Sequence, residues 1–312
     1  MMFGPLAHAL SPMGRGSRLS ILIFHRVHSQ PDPLFPGEPD IQRFNTIIGW
    51  INRWFNVIPL DTAVRQLPAA NLPARAVCIT FDDGYADNVV NALPVLQHHK
   101  VPATFFVSTA FLDGGRMWND SVIEAFRHCR HRVFDGRLFG MGIFALETLE
   151  QRRHAMEAVL AHTKYMAPTQ RQDTVAQLVE WAATPLPDDL MMRSEQVLAL
   201  RNANMQIGAH TVSHPILANI SNAQARWEIA SSKSALQTLL GQPVTLFAYP
   251  NGKPTTDYGE RHVNMVRNAG FEAAVSTIPG AAVVGTDVLQ LPRFTPWDRN
   301  RLRFATRLLI NR

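Results

Sequence analysis

Two adjacent carboxylates, Asp82 and Asp83, close the run Ala76-Val77-Cys78-Ile79-Thr80-Phe81 and are followed at once by Gly84. The run is apolar and rich in β-branched residues, which predicts a buried strand. Side chains alternate along a strand, so neighbouring aspartates point apart in regular geometry. A glycine-assisted turn at the strand end lets both address one small volume. That suits a metal site, with one carboxylate on the ion and the other beside the ion's water. The same Asp-Asp-Gly also reads as plain turn chemistry after a strand. A second pair, His210 and His214, is spaced four apart, which on a helical turn puts both rings on one side. Thr211 stands where a zincin protease requires glutamate, so that class is disfavoured, and two surface histidines in a loop are the plain alternative.

Asp83, His210 and His214 together make a set of two histidines and one carboxylate. Such a set leaves coordination positions open, as a catalytic ion requires. Zn²⁺ suits these ligands well, and Co²⁺, Ni²⁺, Fe²⁺ and Mn²⁺ are compatible with them. An ion there lowers the pKa of its water from about 15.7 towards about 7 and polarises an acyl oxygen. Asp82, ionised beside a dication, is then the natural general base.

The elements that must position these groups follow from hydrophobic periodicity. Leu19–Phe24, Ala76–Phe81, Ala103–Ser108, Met205–Ala209, Val244–Ala248, Phe271–Ser276 and Val288–Leu291 read as strands, with a shorter one around Val57–Pro59. Between them lie helical patterns. Asp40 caps a helix carrying Ile41, Phe44, Ile47, Ile48, Ile51 and Trp54 on one face, and Gly241 and Gly270 stop helices at Ala223–Leu240 and Tyr258–Ala269. Ala86–His99 reads as helical with Pro94 starting a fresh turn, and Asp298–Ile310 as a closing helix. Residues 113–194 differ in character: charges are denser, strands disappear, and Asp120–His131 and Leu146–His162 look amphipathic and helical. This predicts a helical insertion in a single domain spanning 1–312. Strand-then-helix alternation argues for an α/β fold with a mainly parallel sheet that curls into a barrel, with chemistry at the C-terminal strand ends. His25, Asp82-Asp83, His210–His214, Tyr249-Pro250-Asn251-Gly252 and Arg293 each follow a predicted strand, so all are expected on one rim.

The chain of 312 residues is 46% hydrophobic, enough for a substantial core. Its net charge of +5, from 30 basic and 25 acidic residues, is modest and spread out apart from an arginine-rich tail (Arg293, Arg299, Arg301, Arg303, Arg307, Arg312). There is no basic patch within a recognisable nucleic-acid module, so nucleic acid is not an expected partner. An anionic glycan or membrane surface is compatible with the charge, and peripheral membrane association stays open. Two cysteines, Cys78 and Cys129, imply no disulfide framework. Met1–Arg18 shows no signal-peptide pattern and Leu19–Phe24 is too short to span a membrane, so the expected compartment is cytoplasmic.

Thr80-Phe81-Asp82-Asp83-Gly84 followed by His210-Thr211-Val212-Ser213-His214 resembles the first two signature motifs of the polysaccharide deacetylases, the NodB-homology group of carbohydrate esterase family four. The likeness runs from the first strand to Arg293, with 113–194 as an atypical insertion. It implies a distorted (β/α) barrel of fewer than eight strands and metal-dependent removal of acetyl groups from N-acetylated sugars. It places the base at Asp82 and the metal ligands at Asp83, His210 and His214. Phe247-Ala248-Tyr249-Pro250-Asn251-Gly252 is similar to the third motif, but Ala248 stands where relatives commonly carry arginine and Asn251 where they carry tyrosine. The arginine orients the catalytic aspartate, and a backbone N–H at the tyrosine position helps hold the oxyanion, a role open to Asn251. Similar Ala-Tyr-Pro variants occur in a branch acting on exported poly-N-acetylglucosamine-like polymers.

Arg293, in Leu-Pro-Arg-Phe, is expected to supply the missing guanidinium from another strand end, the alternative being an ordinary surface arginine. The last family motif, with its proton-donating histidine, has no counterpart after Arg293. His25 is the substitute by position, against a buried structural histidine. Tyr249, Asn251 and Trp118 are the expected substrate contacts, although Trp118-Asn119-Asp120 also reads as a helix start with a packing tryptophan. His262 is expected in solvent, and His98-His99-Lys100 reads as a cationic helix end. The expected activity is a metal-dependent N-deacetylase acting on an N-acetylhexosamine-containing polysaccharide or its precursor. The alternatives are a metal-dependent amidohydrolase on a small non-sugar amide and an inactive glycan-binding relative.

Overall fold

The structure, a computed structural model, describes residues 12–296 and 298–311. Readings that rest on residues 1–11 and on Arg312 therefore lie outside the described residues. Seven strands form one parallel sheet in the order β1 (Leu19–Phe24), β3 (Ala76–Phe81), β4 (Thr104–Val107), β7 (Gln206–Ala209), β8 (Leu246–Ala248), β9 (Ala273–Pro279) and β10 (Leu291–Arg293). The short β2 (Asn56–Val57) pairs with the first two residues of β3, and β4 pairs with its last two. Phe294, just past β10, exchanges hydrogen bonds with β1: its N–H donates to Ile21 at 2.7 Å and its carbonyl accepts from Ile23 at 3.1 Å. The sheet thus curls almost closed, the barrel of fewer than eight main strands that the motifs imply.

Side-chain alternation divides the core. Leu19 and Ile21 of β1 join Ala76 and Cys78 of β3, Ala248, Ala273, Val275 and Leu291 in one cluster, the barrel interior. Helix α2 (Leu60–Gln66) adds Leu60, Ala63 and Val64 to it. Leu22 and Phe24 with Val77, Ile79 and Phe81 face outward, where α1 (Ile41–Trp54) lays Phe44, Ile47, Ile48 and Ile51 on them. Val95 and Leu96 of α3 (Leu93–His99) join that outer layer, as do Val197 and Leu200 of α7 (Ser194–Asn202), which leads into β7. All six residues of β1 and of β3 are buried, as a strand covered on both faces requires. Asp40 starts α1, its carboxylate accepting from the Arg43 N–H at 2.7 Å. Gly208 lets β7 pack tightly, because a Cβ there would sit 2.4 Å from the Phe106 ring.

Residues 113–194 contain the helices α4 (Trp118–His128), α5 (Leu149–Lys164) and α6 (Pro168–Ala182). They pack on each other through Val122, Phe126, Met156, Val159, Val175 and Leu178. The expectation that strands disappear here is corrected: β5 (Val133–Asp135) and β6 (Ile143–Ala145) form an antiparallel hairpin. Each is three residues long, below what a periodicity window resolves. A second correction concerns the last sheet strand, which begins at Leu291 and contains Arg293, where Val288–Leu291 followed by Arg293 was expected. Among the described residues, no helix is long and apolar enough to cross a membrane.

Candidate active site

The barrel's alternation carries Thr80 and Asp82 to the inside with Ala76 and Cys78. Asp82 is held there by its N–H, which donates to Phe24 at 3.0 Å. At Asp83 the backbone turns left-handed (φ 77°), followed by Gly84 (φ 93°), and the strand regularity ends. The two carboxylates consequently serve different neighbours. Arg293, although on a strand and not beyond it, reaches Asp82 with two parallel bonds, Nη1 to Oδ1 at 2.7 Å and Nη2 to Oδ2 at 2.6 Å. Its Nε donates to the Ser276 carbonyl at 2.6 Å, which fixes the fork. Burial pushes the Asp82 carboxyl up, but the Arg293 charge and then that of His210 outweigh it, so Asp82 stays below the usual carboxylate range.

Asp83 faces the imidazoles. His210 Nε2 lies 3.4 Å and His214 Nε2 3.3 Å from Asp83 Oδ1. The helical turn expected for these histidines is not what brings them together. They sit on a loop after β7, with Thr211 (φ 64°) and His214 (φ 54°) both left-handed. Thr211 Oγ1 accepts from the His214 N–H at 3.1 Å. Glu228, on α8 (Asn222–Leu240), braces the loop from below: its carboxylate accepts from the N–H groups of Val212 at 2.7 Å and Ser213 at 2.9 Å. Sequence reasoning missed Glu228. Its signal is an acid in phase with the buried stripe Ala225, Ile229, Ser232 and Leu236.

The trio fits a small dication. Ligand atoms of Asp83, His210 and His214 all lie within 4.8 Å of one another. Tetrahedral ligands about 2.1 Å from an ion stand about 3.4 Å apart, which matches both nitrogen–oxygen separations. His210 Nδ1 lies 2.8 Å from the Ala248 carbonyl, which fixes the ring and directs Nε2 at the point an ion would occupy, where its lone pair would serve as the ligand. Burial raises the Asp83 carboxyl, and hydrogen bonding with His210 outweighs it, holding the carboxyl well below its ordinary value. Burial drives His214 down to about 4, keeping it a neutral ligand.

These groups floor a cavity of about 340 Å³ that is also lined by His25, Asn251, Trp118 and Lys164. His25 is exposed at the rim, which removes the buried-histidine alternative, and its carbonyl is pinned by Asn88 Nδ2 at 2.8 Å. Asn251 is left-handed (φ 59°) and its carbonyl accepts from Thr277 Oγ1 at 2.7 Å, which orients the turn. Trp118 lines the cavity from the first turn of α4, with Arg171 over its ring at 4.9 Å. Tyr249 does not belong with them. It stacks on Tyr258 (centroids 3.9 Å apart) in the core, since a strand-end residue one step out of phase points away from the rim. His262 is a further correction: it is buried, and its Nδ1 accepts from the Gly259 N–H at 2.9 Å at the start of α9 (Glu260–Asn268). His98 and His99 end α3, as expected. Asp120, read from sequence with Trp118 and Asn119 as a substrate edge or a helix start, lies in the first turn of α4 and accepts from the buried Tyr85 hydroxyl at 2.9 Å. Burial pushes Asp120 up to about 7.

Barrel, acid pair and imidazole pair define an α/β-barrel hydrolase site. A family model, polysaccharide deacetylase, matches residues 69–132 and 146–274, more than half of the chain. The chain belongs to the polysaccharide deacetylase family, hydrolases of N-acetyl amide bonds. The match passes over residues 133–145, the β5–β6 hairpin. YxkH of Bacillus subtilis is 20% identical over 268 residues, 85% of this chain and 67% of that protein. IcaB from Ammonifex degensii shares the fold with a TM-score of 0.61 at 18% identity, over 96% of this chain and 98% of IcaB. The Streptococcus pyogenes deacetylase PplD, solved in complex with acetate, gives a TM-score of 0.59 at 18% identity, over 89% of this chain and 92% of PplD.

Proposed function

We propose that this chain is a metal-dependent N-deacetylase of an N-acetylhexosamine-containing polysaccharide or its precursor. The observation that carries the reading is the division of labour between neighbouring carboxylates: Asp83 faces two imidazole nitrogens while Asp82 is locked by Arg293. Asp83, His210 and His214 would hold the ion, with Zn²⁺ favoured by the donor set and Co²⁺ or Ni²⁺ compatible. When bound, the ion supplies a Lewis acid that acidifies water and polarises the acetamide carbonyl. Asp82, charged and fixed, takes the proton from the attacking water as the oxygen–carbon bond forms. The N–H of Asn251 helps hold the negative charge that develops on the acyl oxygen. His25, at the cavity rim, gives a proton to the sugar nitrogen as the carbon–nitrogen bond breaks, so acetate and an amino sugar leave. Trp118 offers an apolar edge to the sugar ring.

The test is acetate release from N-acetylated oligosaccharides, with metal content measured on the same preparations. Asp82→Asn is expected to abolish turnover while keeping the metal, and Asp83→Ala to lose both. Equal metal loss in the two variants would overturn the assignment of roles.

A further inference from the structure

The segment 113–194 supplies a wall of the catalytic cavity. Helix α5 presents Leu160, Ala161 and Lys164 to it, a spacing that puts the three on one helical face. Leu160 and Ala161 offer apolar surface, whereas Lys164 brings a cation that nothing in the reaction uses. Its ammonium is half-buried and, among the described residues, makes no ion pair. Nζ lies 5.5 Å from the centre of the Tyr165 ring. Burial holds the ammonium below its ordinary value, Asp257 pulls the other way, and Lys253 repels it. Asp257 acts on it at longer range without ion-pair contact, one oxygen accepting from the Lys253 N–H at 3.0 Å. Lys253, two residues beyond Asn251 in the chain, is close enough to repel it, so the local field is positive where Lys164 meets the cavity. A half-buried cation with no carboxylate in ion-pair contact is under-compensated, and a ligand that brings an anion into direct contact offsets that cost.

We propose that Lys164 selects substrates whose N-acetylated sugar carries an anionic group, a phosphate or a carboxylate, within reach of the cavity. The proposal rests on the deacetylase reading and names the substrate class for that same site. An ammonium is a point charge that accepts either anion, so the chemistry shared by a sugar phosphate and an acidic saccharide is what the wall recognises.

Three compounds separate the sources: N-acetylglucosamine 1-phosphate, a disaccharide of N-acetylglucosamine and glucuronic acid, and neutral diacetylchitobiose. Acetate release is measured with the metal-loaded full chain as wild type, Lys164→Gln and Lys164→Arg. The expected result is a wild-type preference of about tenfold or more in kcat/KM for one of the anionic compounds, the scale of a charge-assisted hydrogen bond. Lys164→Gln is expected to raise KM for that compound by about tenfold with kcat held, Lys164→Arg to keep most of the preference, and diacetylchitobiose turnover to stay level. The phosphate or the carboxylate arm that responds identifies the source. An equal fall on neutral and anionic compounds, or no preference in the wild type, overturns the proposal. Calorimetric titration of the same three compounds keeps the two readings apart. Lys164-dependent binding of an anionic compound without acetate release from any of them refutes the deacetylase and leaves the anion site. Deacetylation of diacetylchitobiose without preferential, Lys164-dependent anion binding refutes the anion site and leaves the deacetylase.

Discussion

Replacing Arg293 by methionine strips the Asp82 carboxylate of the guanidinium it meets at 2.7 and 2.6 Å. Asp82 and Arg293 are each 2% exposed, so water cannot take over the missing contacts. Breaking one partner out of a buried pair costs about 3–5 kcal/mol, because the other charge is left uncompensated. The Ser276 carbonyl, which accepts from Arg293 Nε at 2.6 Å, loses its donor as well, at about 1 kcal/mol more. Against a typical total of about 5–15 kcal/mol, Arg293→Met alone leaves a weakly folded protein. The informative measurement is therefore a double-mutant cycle with Asp82→Asn, by urea unfolding in chelator at neutral pH. The amide of Asp82→Asn carries no charge to strand, so the second substitution is expected to cost about 2–3 kcal/mol less in that background. Additivity to within about 0.5 kcal/mol would refute the pairing as the source of stability. Catalysis gives an independent check. Burial raises the Asp82 carboxyl and Arg293 lowers it, with a net value below the ordinary one. A carboxyl depressed in the fold contributes stability above its unfolded pKa, and that stability is lost as pH falls through the folded value. Without Arg293, burial meets less opposition, the folded value rises, and the acid limb of activity moves to higher pH. An unmoved acid limb would show that Asp82 is not the base.

Two further outcomes follow from groups that touch no substrate. Glu228→Gln keeps the shape beneath the histidine loop but weakens its grip on the Val212 and Ser213 N–H groups, so metal affinity measured by chelator competition is expected to fall about 10–100-fold with kcat at saturating metal largely kept. Unchanged metal affinity would contradict the bracing role. Burial drives His262 down to about 4, and the Gly259 N–H needs its Nδ1 unprotonated. The unfolded chain then binds the extra proton between about pH 6.5 and the folded value, so thermal stability falls as pH drops through that window. His262→Gln should flatten this part of the pH–stability curve, and an unchanged slope would reject it.

What the sequence made legible was whatever depends on local pattern. Buried β-branched runs, the Asp40 cap and the Gly241 stop are set by neighbours in the chain, and each element lies within a few residues of its expected place. The convergence of strand ends follows from topology, which is why His25, Asp82, Asp83, His210, His214 and Asn251 share one cavity. What failed depended on dihedral angles or phase. Spacing of four suggested a helical turn for His210 and His214, but left-handed Thr211 and His214 do the work instead. Tyr249 lies beside a rim residue in the chain and one strand step away from the rim in space. His262 looks polar by its neighbours Arg261 and Asn264, yet it falls on the buried stripe with Val263 and Val266. Glu228 and Lys164 are ordinary helix residues until another element is packed against them.

The cavity therefore has two origins with different tolerances. Its floor is built from strand ends, where a carboxylate, a guanidinium and the His210 imidazole are held by buried hydrogen bonds spanning up to 213 residues of sequence. Small displacements there cost rate, since effective positioning of reacting groups is lost over about 1 Å. Its wall comes from α4 and α5, whose own core of Phe126, Met156 and Val159 packs apart from the barrel interior. Lys164 is not part of that core, so a substitution there alters only what the wall offers the substrate. Changes in the floor should therefore lower kcat across all substrates, whereas changes at Lys164 should redistribute KM among them. A variant of α5 that lowered kcat equally on every compound would place the wall within the chemistry and refute this separation.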